Sequence, residues 1–164
     1  MSRIRPDQLL LPSVLDRLLD LEPDNRNETP RDRAQLLRDL KTSVRRDLEN
    51  LLNTRILISY IPKDLTQLES SLVNYGIPDF GNAILESSNS MEFMRKTVEE
   101  AIKQFETRFQ FVRVELGFGS NNRLSRSVQF VIDGILYAEP APEPVTFSTQ
   151  LNTIANAFRV HEAQ

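Results

Sequence analysis

The hydrophobic pattern of this chain changes its period about two thirds of the way along. In the first part, apolar residues recur every four positions at Leu36, Leu40, Val44, Leu48 and Leu52. From residue 109 onward, they recur at every second position instead. A spacing of four predicts an amphipathic helix, whereas strict alternation predicts strands that are half buried. Helices followed by strands predict an α+β fold, with N-terminal helices packed on a small antiparallel sheet that has an open edge.

The strongest helix signal runs from Thr29 to Asn53. Thr29 is a suitable N-cap and Pro30 suits the first helical position, so we expect the helix to begin there. A second helical pattern follows in "KDLTQLESSLVNYG". A third helix is predicted to start near Asn89, with Glu92 as its capping-box partner.

Three regions are predicted from these patterns. Residues 1–29 form an N-terminal arm and linker, residues 30–151 form the folded domain, and residues 152–164 form a C-terminal tail. The arm contains "SVLDRLLDL", an amphipathic turn that is either a strap lying over its own domain or a peptide offered to a partner.

Strands are predicted in the second part of the chain. "FQFVRVELGF" and "SVQFVIDGILY" alternate and are separated by a polar loop, which is typical of a hairpin. "PVTFSTQL" is a third strand, and prolines precede it at positions 140, 142 and 144. Because proline is tolerated mainly at sheet margins, we expect the start of this strand to lie at a margin, and a sheet this small has exposed edges. Such an edge either accepts a strand from another chain or is covered by the arm or the tail.

Composition excludes several kinds of chemistry. A chain of 164 residues suits one domain, and the absence of cysteine removes disulfides, thiolate metal sites and cysteine nucleophiles. The single histidine, His161, lies in the polar C-terminal segment without a serine partner. The net charge of -3 disfavours nucleic acid binding. We therefore expect no cofactor, no metal and no nucleic acid. Without a signal peptide or a long apolar run, we also expect no membrane insertion and a cytoplasmic protein.

An acid and a base stand together where the third helix meets the first strand. In "QFETRFQFVRVEL" these are Glu106 and Arg108, two residues apart. A glycosidase would pair Glu106 with Asp133 or Glu115 across a sugar-binding cleft. The nearby guanidinium of Arg108 would instead stabilise the charged carboxylate, which is the opposite of what a general acid requires. An internal ion pair and a docking site for another protein both remain open.

Several blocks of the sequence resemble a known family. They are "SVLDRLLD" at 13–20, "RRDLENLLNTR" at 45–55, "SLVNYGIPDF" at 71–80, "IKQFETRFQFVRVEL" at 102–116, then "FVIDGIL" and "PVTF". Together they are similar to TssE, the baseplate subunit family of the bacterial type VI secretion system. TssE belongs to the tailed-phage baseplate wedge family, once labelled lysozyme-like. The similarity covers residues 13–150. The family's Glu-Pro-Arg motif corresponds to Glu106-Thr107-Arg108, with threonine in place of proline.

The resemblance implies a structural baseplate component and no enzymatic activity. Its implied partners are other wedge subunits, similar to TssF, TssG and TssK, and contractile sheath proteins, similar to TssB and TssC. Glu106 and Arg108 would hold neighbouring wedge subunits. Sheath strands would add to an open edge around Val145 to Leu151, so that a sheath starts only on a completed baseplate. The residues expected at this edge are Val145, Thr146, Phe147, Ser148 and Thr149. The alternative suggested by the old label is a cell-wall glycosidase that uses Glu106.

Overall fold

A computed structural model of the chain describes residues 13–19, 32–56, 64–80, 88–117, 127–138, 141–152 and 154–163. In these ranges four α-helices precede four strands, which confirms the predicted α+β class. The helices are α1 (Val14–Leu18), α2 (Arg33–Asn53), α3 (Thr66–Glu69) and α4 (Ser88–Phe105). The strands are β1 (Phe109–Leu116), β2 (Ser127–Leu136), β3 (Glu143–Asn152) and β4 (Ala157–Glu162).

Helix α2 is the long helix expected from the sequence, but it begins later than predicted. Its N-cap is Asp32, whose carboxylate accepts a hydrogen bond from the Arg33 amide at 2.7 Å. The Gln35 side chain completes a capping box by accepting from the Asp32 amide at 3.1 Å. The predicted N-cap at Thr29 is therefore wrong, and Thr29 and Pro30 lie outside the described residues. The second predicted helix is also shorter than expected, because α3 is a single turn followed by a 3₁₀ turn.

The four strands form an antiparallel meander in the order β1-β2-β3-β4. Helices α2 and α4 contribute Val44, Leu48 and Met94 to one hydrophobic core together with side chains from all four strands. Alternate strand residues such as Phe130 and Phe147 are fully buried in this core. The opposite face of the sheet carries mainly exposed or half-buried side chains. The loop of residues 118–126, predicted as a hairpin turn, lies outside the described residues.

Strand β3 is an interior strand, so the open edge predicted around Val145 to Leu151 is misplaced. Over its full length it pairs with β2, and from Phe147 onward it also pairs with β4. The Ala163 amide adds a hydrogen bond to the Thr146 carbonyl at 3.0 Å. Strand β4 comes from the segment predicted as a tail. Its Phe158 and Val160 are buried, because they extend the apolar face of the sheet by one more strand.

The five residues predicted to meet a partner strand are divided between the two faces of β3. Val145, Phe147 and Thr149 are buried, and the Thr149 hydroxyl donates to the Phe130 carbonyl at 3.4 Å. Thr146 and Ser148 point to the opposite face. A strand from another chain could reach the backbone of Phe147 to Thr149 only by displacing β2 or β4.

The outer edge of β4 is bonded to side chains of α2. The Asn53 amide donates to the Phe158 carbonyl at 3.0 Å and its oxygen accepts from the Phe158 amide at 2.8 Å. One turn earlier in α2, Glu49 accepts from the Val160 amide at 3.4 Å, and two turns earlier Arg45 donates to the Val160 carbonyl at 3.3 Å. These bonds satisfy backbone groups that would otherwise be free at a sheet margin.

Candidate functional site

The junction between α4 and β1 is a tight turn that begins at Glu106. The Glu106 amide extends α4 by bonding to the Ile102 carbonyl at 2.9 Å. The Glu106 carbonyl then accepts from the Phe109 amide at 3.4 Å, which closes a four-residue turn. Thr107 occupies the second position of this turn and is exposed. That position favours proline, because the ring presets the φ angle, so the family's proline fits the same geometry.

The Arg108 guanidinium is bonded inside the chain through all three of its nitrogens. Nε and Nη2 donate to the two carboxylate oxygens of Glu106 at 2.8 and 2.5 Å, so the pair is bidentate. Nη2 also donates to Asp47 at 2.7 Å and Nη1 donates to the Ser43 hydroxyl at 2.9 Å, both on α2. Glu106 is buried, with 8% of its surface exposed. The internal ion pair, left open by the sequence, is therefore formed. It joins α2 to the α4–β1 junction.

The same cluster extends to α1. The Ser43 hydroxyl donates to the Asp16 carboxylate at 2.6 Å while accepting from Arg108. Arg46 forms an ion pair with Asp16 at 2.9 Å. Burial raises the pKa of Asp16, but hydrogen bonds from Ser13, Ser43 and Arg46 outweigh it, so the pKa lies below its ordinary value. The ionised carboxylate thus fixes α1 to α2.

The charges also favour the ionised form of Arg108. Burial lowers the pKa of Arg108, but the hydrogen bonds and charges of Glu106 and Asp47 raise it further than burial lowers it. The guanidinium is therefore permanently charged. Removing it would leave the buried Glu106 carboxylate without its cation.

Helix α1 is held through its polar side, and its apolar side faces outward. The side chains of Val14, Leu15, Leu18 and Leu19 are at least half exposed. The sequence left two roles open for this segment, a strap over its own domain and a peptide for a partner. The contact of α1 with its own domain through Asp16 agrees with the strap. The exposed leucines are equally compatible with a contact to another chain.

The geometry does not assemble the two-carboxylate site of a glycosidase. Both oxygens of Glu106 are bonded to Arg108 on the helical side of the sheet. Glu115 forms an ion pair with Arg113 at 2.9 Å, and Asp133 accepts from the Thr146 hydroxyl at 2.7 Å. Their positions in the alternating strands place Glu115 and Asp133 on the opposite face. Neither predicted partner therefore shares a cleft with Glu106.

Strand β1 forms the other margin of the sheet, and its edge is only partly covered. The Gly117 amide bonds to the Gln129 carbonyl at 2.8 Å. This bond shows that the backbone groups of Gly117, and of every second residue from there back to Phe111, point toward β2. By that alternation, the backbone groups of Val112, Val114 and Leu116 point away from β2. The α4 side chains of Glu99 and Arg95 bond the amide and carbonyl of Val114 at 3.2 and 2.9 Å. No described residue bonds the outward groups of Val112 and Leu116.

A cleft of about 670 Å³ lies between this edge and α4. It is lined by residues 111–116 of β1 and by the charged residues Glu92, Arg95, Glu99 and Lys103 of α4. Sequence reasoning missed this site, because it placed the free edge on β3. The available signal was the spacing of these charges at three and four residues, which puts them on one side of a helix.

Three further expectations concern His161, metal ions and membranes. His161 is exposed on β4, opposite Ser148 on β3, instead of lying in a tail. Within the described ranges, no three histidine or carboxylate side chains are grouped closely enough to bind a metal ion. None of the helices in these ranges combines the length and the hydrophobicity required to cross a bilayer.

The described residues form a small α+β domain whose β1 margin is only partly covered, and proteins that bind other chains by strand addition use a margin of this kind. The chain belongs to the family described as baseplate wedge protein gp25, which it matches over residues 38–141. This is the family of TssE, so the resemblance is confirmed and supports a structural baseplate role. The matched range contains the Glu106–Arg108 junction and strands β1 and β2. Comparisons with curated proteins and with solved structures gave no match.

Proposed function

We propose that the chain is a baseplate wedge subunit of a type VI secretion system that docks on other wedge subunits and gives the contractile sheath its first strand partner. Family membership supports the baseplate role. The observation that carries the sheath role is the edge of β1, where outward backbone groups lie beside an open cleft. Strand addition at this edge would supply register through backbone hydrogen bonds and specificity through alternate side chains.

The location of the proposed contact follows from the topology of the sheet. Strand β3 has neighbours on both sides, and β4 is bonded to α2 along its outer edge. Strand β1 is the margin at which another chain can add without displacing a strand, although it must replace the two α4 side chains bonded to Val114. The contact is therefore proposed at Val112 to Leu116 and no longer at the β3 residues predicted from the sequence.

The proposed role of the Glu106–Arg108 pair is to shape the surface that wedge subunits meet. Both side chains are bonded internally, and through Ser43 they fix the position of α1. Docking of wedge subunits near this junction would therefore depend on the pair through the orientation of α1 and α2. The proposed partners are TssF-, TssG- and TssK-like subunits at the wedge and TssB- and TssC-like sheath proteins. The proposed location is the cytoplasm, with membrane association only through the assembled machine.

Proline substitutions at matched edge positions test the sheath role. The Leu116 amide points away from β2, so Leu116→Pro removes a donor from the free edge without breaking the β1–β2 ladder. Glu162→Pro makes the same change at the opposite margin, where the Glu162 amide points away from β3. We expect both variants to fold and only Leu116→Pro to prevent sheath assembly with purified sheath and wedge proteins. Normal sheaths on a baseplate containing Leu116→Pro contradict the proposal.

A further inference from the structure

The cleft beside β1 contains a contact that an incoming strand must break. Glu99 accepts from the Val114 amide at 3.2 Å, and Arg95 donates to the Val114 carbonyl at 2.9 Å. Arg95 and Glu99 also bond to each other at 2.7 Å, so together they close the middle of the exposed edge. A strand adding to β1 needs the same two backbone groups. We propose that Arg95 and Glu99 form a removable cap that keeps the β1 edge unpaired until a strand of another protein displaces them. This inference rests on the proposed function.

The cap can be displaced without isolating a charge. Arg95 keeps a bidentate pair with Glu92, at 2.8 and 2.9 Å, and Glu99 keeps its ion pair with Lys103. All of these residues lie on α4, so a rotation of the side chains away from β1 preserves the pairs. The incoming strand replaces both bonds to Val114 and adds bonds to the outward groups of Val112 and Leu116. Exchange of the cap for a strand therefore increases the number of hydrogen bonds at the edge.

The occupant that fits the edge is an extended segment of another polypeptide with a defined charge pattern. Arg113 and Glu115 are exposed on the face of β1 that points away from the core. In an antiparallel pair, residues directly opposite each other interact across the strands. The entering strand should therefore place an acid opposite Arg113 and a base opposite Glu115. The residues of the entering strand that alternate with this acid and this base should be apolar, because they would lie beside Val112 and Leu116.

A synthetic peptide with the sequence of β1 meets this requirement and serves as the probe. The peptide "FQFVRVELG" can run antiparallel to β1 with its second valine opposite Val114. In that register, Arg113 lies opposite the glutamate of the peptide and Glu115 lies opposite its arginine. The peptide "FQFVEVRLG", in which the two charges are exchanged, places like charges opposite each other. It is the matched control for side-chain specificity.

The cap is tested by comparing the wild-type chain with Arg95→Ala/Glu99→Ala and with Glu100→Ala. The double variant loses both bonds to Val114, while Glu100→Ala removes an exposed charge of α4 that does not line the cleft and keeps both bonds. Binding of the labelled peptide is measured by fluorescence anisotropy after thermal melts have confirmed that each protein is folded. We expect roughly tenfold tighter binding by the double variant, because no edge bond has to be broken first, and no change for Glu100→Ala. Equal affinities for all three proteins overturn the cap.

Hydrogen exchange provides a second measurement that does not depend on the double variant. In the wild-type chain, the Val114 amide should exchange more slowly than the outward amides of Val112 and Leu116. Glu99→Ala alone should accelerate Val114, and bound peptide should protect all three amides. If the Val114 amide of the wild-type chain exchanges as fast as the amides of Val112 and Leu116, the cap is contradicted.

Failure of the cap and failure of the proposed function give different results. If all three proteins start sheaths equally fast, and Leu116→Pro still prevents assembly, the edge is used but the cap is not. If the peptide experiments succeed and Leu116→Pro starts normal sheaths, the cap exists but the sheath role is wrong. Dimerisation of the wild-type chain through β1 would overturn the assignment to another protein, since the edge would then belong to a second copy.

Discussion

Replacing Arg108 by methionine should destabilise the isolated domain. The substitution keeps most of the aliphatic stem and removes the guanidinium that bridges Glu106, Asp47 and Ser43. Asp47 retains Arg46 as a partner at 3.0 Å, so the uncompensated charge is that of Glu106. Breaking one side of a buried ion pair costs about 3–5 kcal/mol. Because Arg108 is 22% exposed, solvent screening reduces the expected loss to about 2–3 kcal/mol.

The measurement is thermal unfolding followed by circular dichroism. For a domain of this size, the loss corresponds to a decrease in Tm of about 5–10 °C. The double variant Glu106→Gln/Arg108→Met leaves no buried charge, so it should recover part of the loss. The two single variants and the double variant form a cycle with an expected coupling of about 1–3 kcal/mol.

Co-purification with the other wedge subunits separates the internal role from a direct contact. If the pair acts inside the domain, binding should decrease only as far as the stability of the variant decreases. An Arg108→Met variant with an unchanged Tm that no longer binds wedge subunits would refute the reasoning, because Arg108 would then contact a partner directly.

Three further changes test other parts of the structure. Gly76→Ala should lower the free energy of unfolding in urea by about 2–3 kcal/mol, because Gly76 has a φ of 117° and a Cβ would lie 2.5 Å from the Thr54 carbonyl oxygen; a loss below about 0.5 kcal/mol would contradict this geometry. Thr107→Pro should raise the free energy of unfolding by about 0.4–1 kcal/mol, since it restores the family's residue at a position where no described group bonds the amide; a decrease would mean that the φ angle of Thr107 is unsuitable. The pKa of Asp16 is lowered in the folded chain, so its stabilisation of α1 is present above the ordinary aspartate pKa of about 3.9 and is lost as the pH falls below it. Proteolysis within α1 should accelerate in that range, and the acceleration should be absent in Asp16→Asn.

The elements that bury a regular apolar pattern could be predicted from the sequence. The four-residue stripe of α2 and the alternation of β1, β2 and β3 are each long enough to fix both type and face. Strand β4 was predicted as part of a tail, because only Phe158 and Val160 mark its buried side. The side chains that cover its outer edge, Asn53 and Arg45, lie more than 100 residues away in sequence.

The contact at the centre of the candidate site could be predicted from the sequence, but the residues that surround it could not. Glu106 and Arg108 stand two residues apart, so their contact is local. Asp47 and Ser43 complete the network from 61 and 65 residues away, and only the packing of α2 against the junction brings them there. The open edge was predicted as a feature but assigned to the wrong strand, since the identity of a margin depends on which strands are neighbours.

The attachment of β4 to α2 has a consequence for stoichiometry. A sheet with two free margins can continue to add chains at both ends and can grow into an open-ended array. Within the described residues, the β4 margin is bonded to its own helix, so under the proposed strand addition each copy of the subunit accepts one strand, at β1. A ring of such subunits can then receive as many strands as it has subunits. The first layer built on the ring would contain that same number of strand donors.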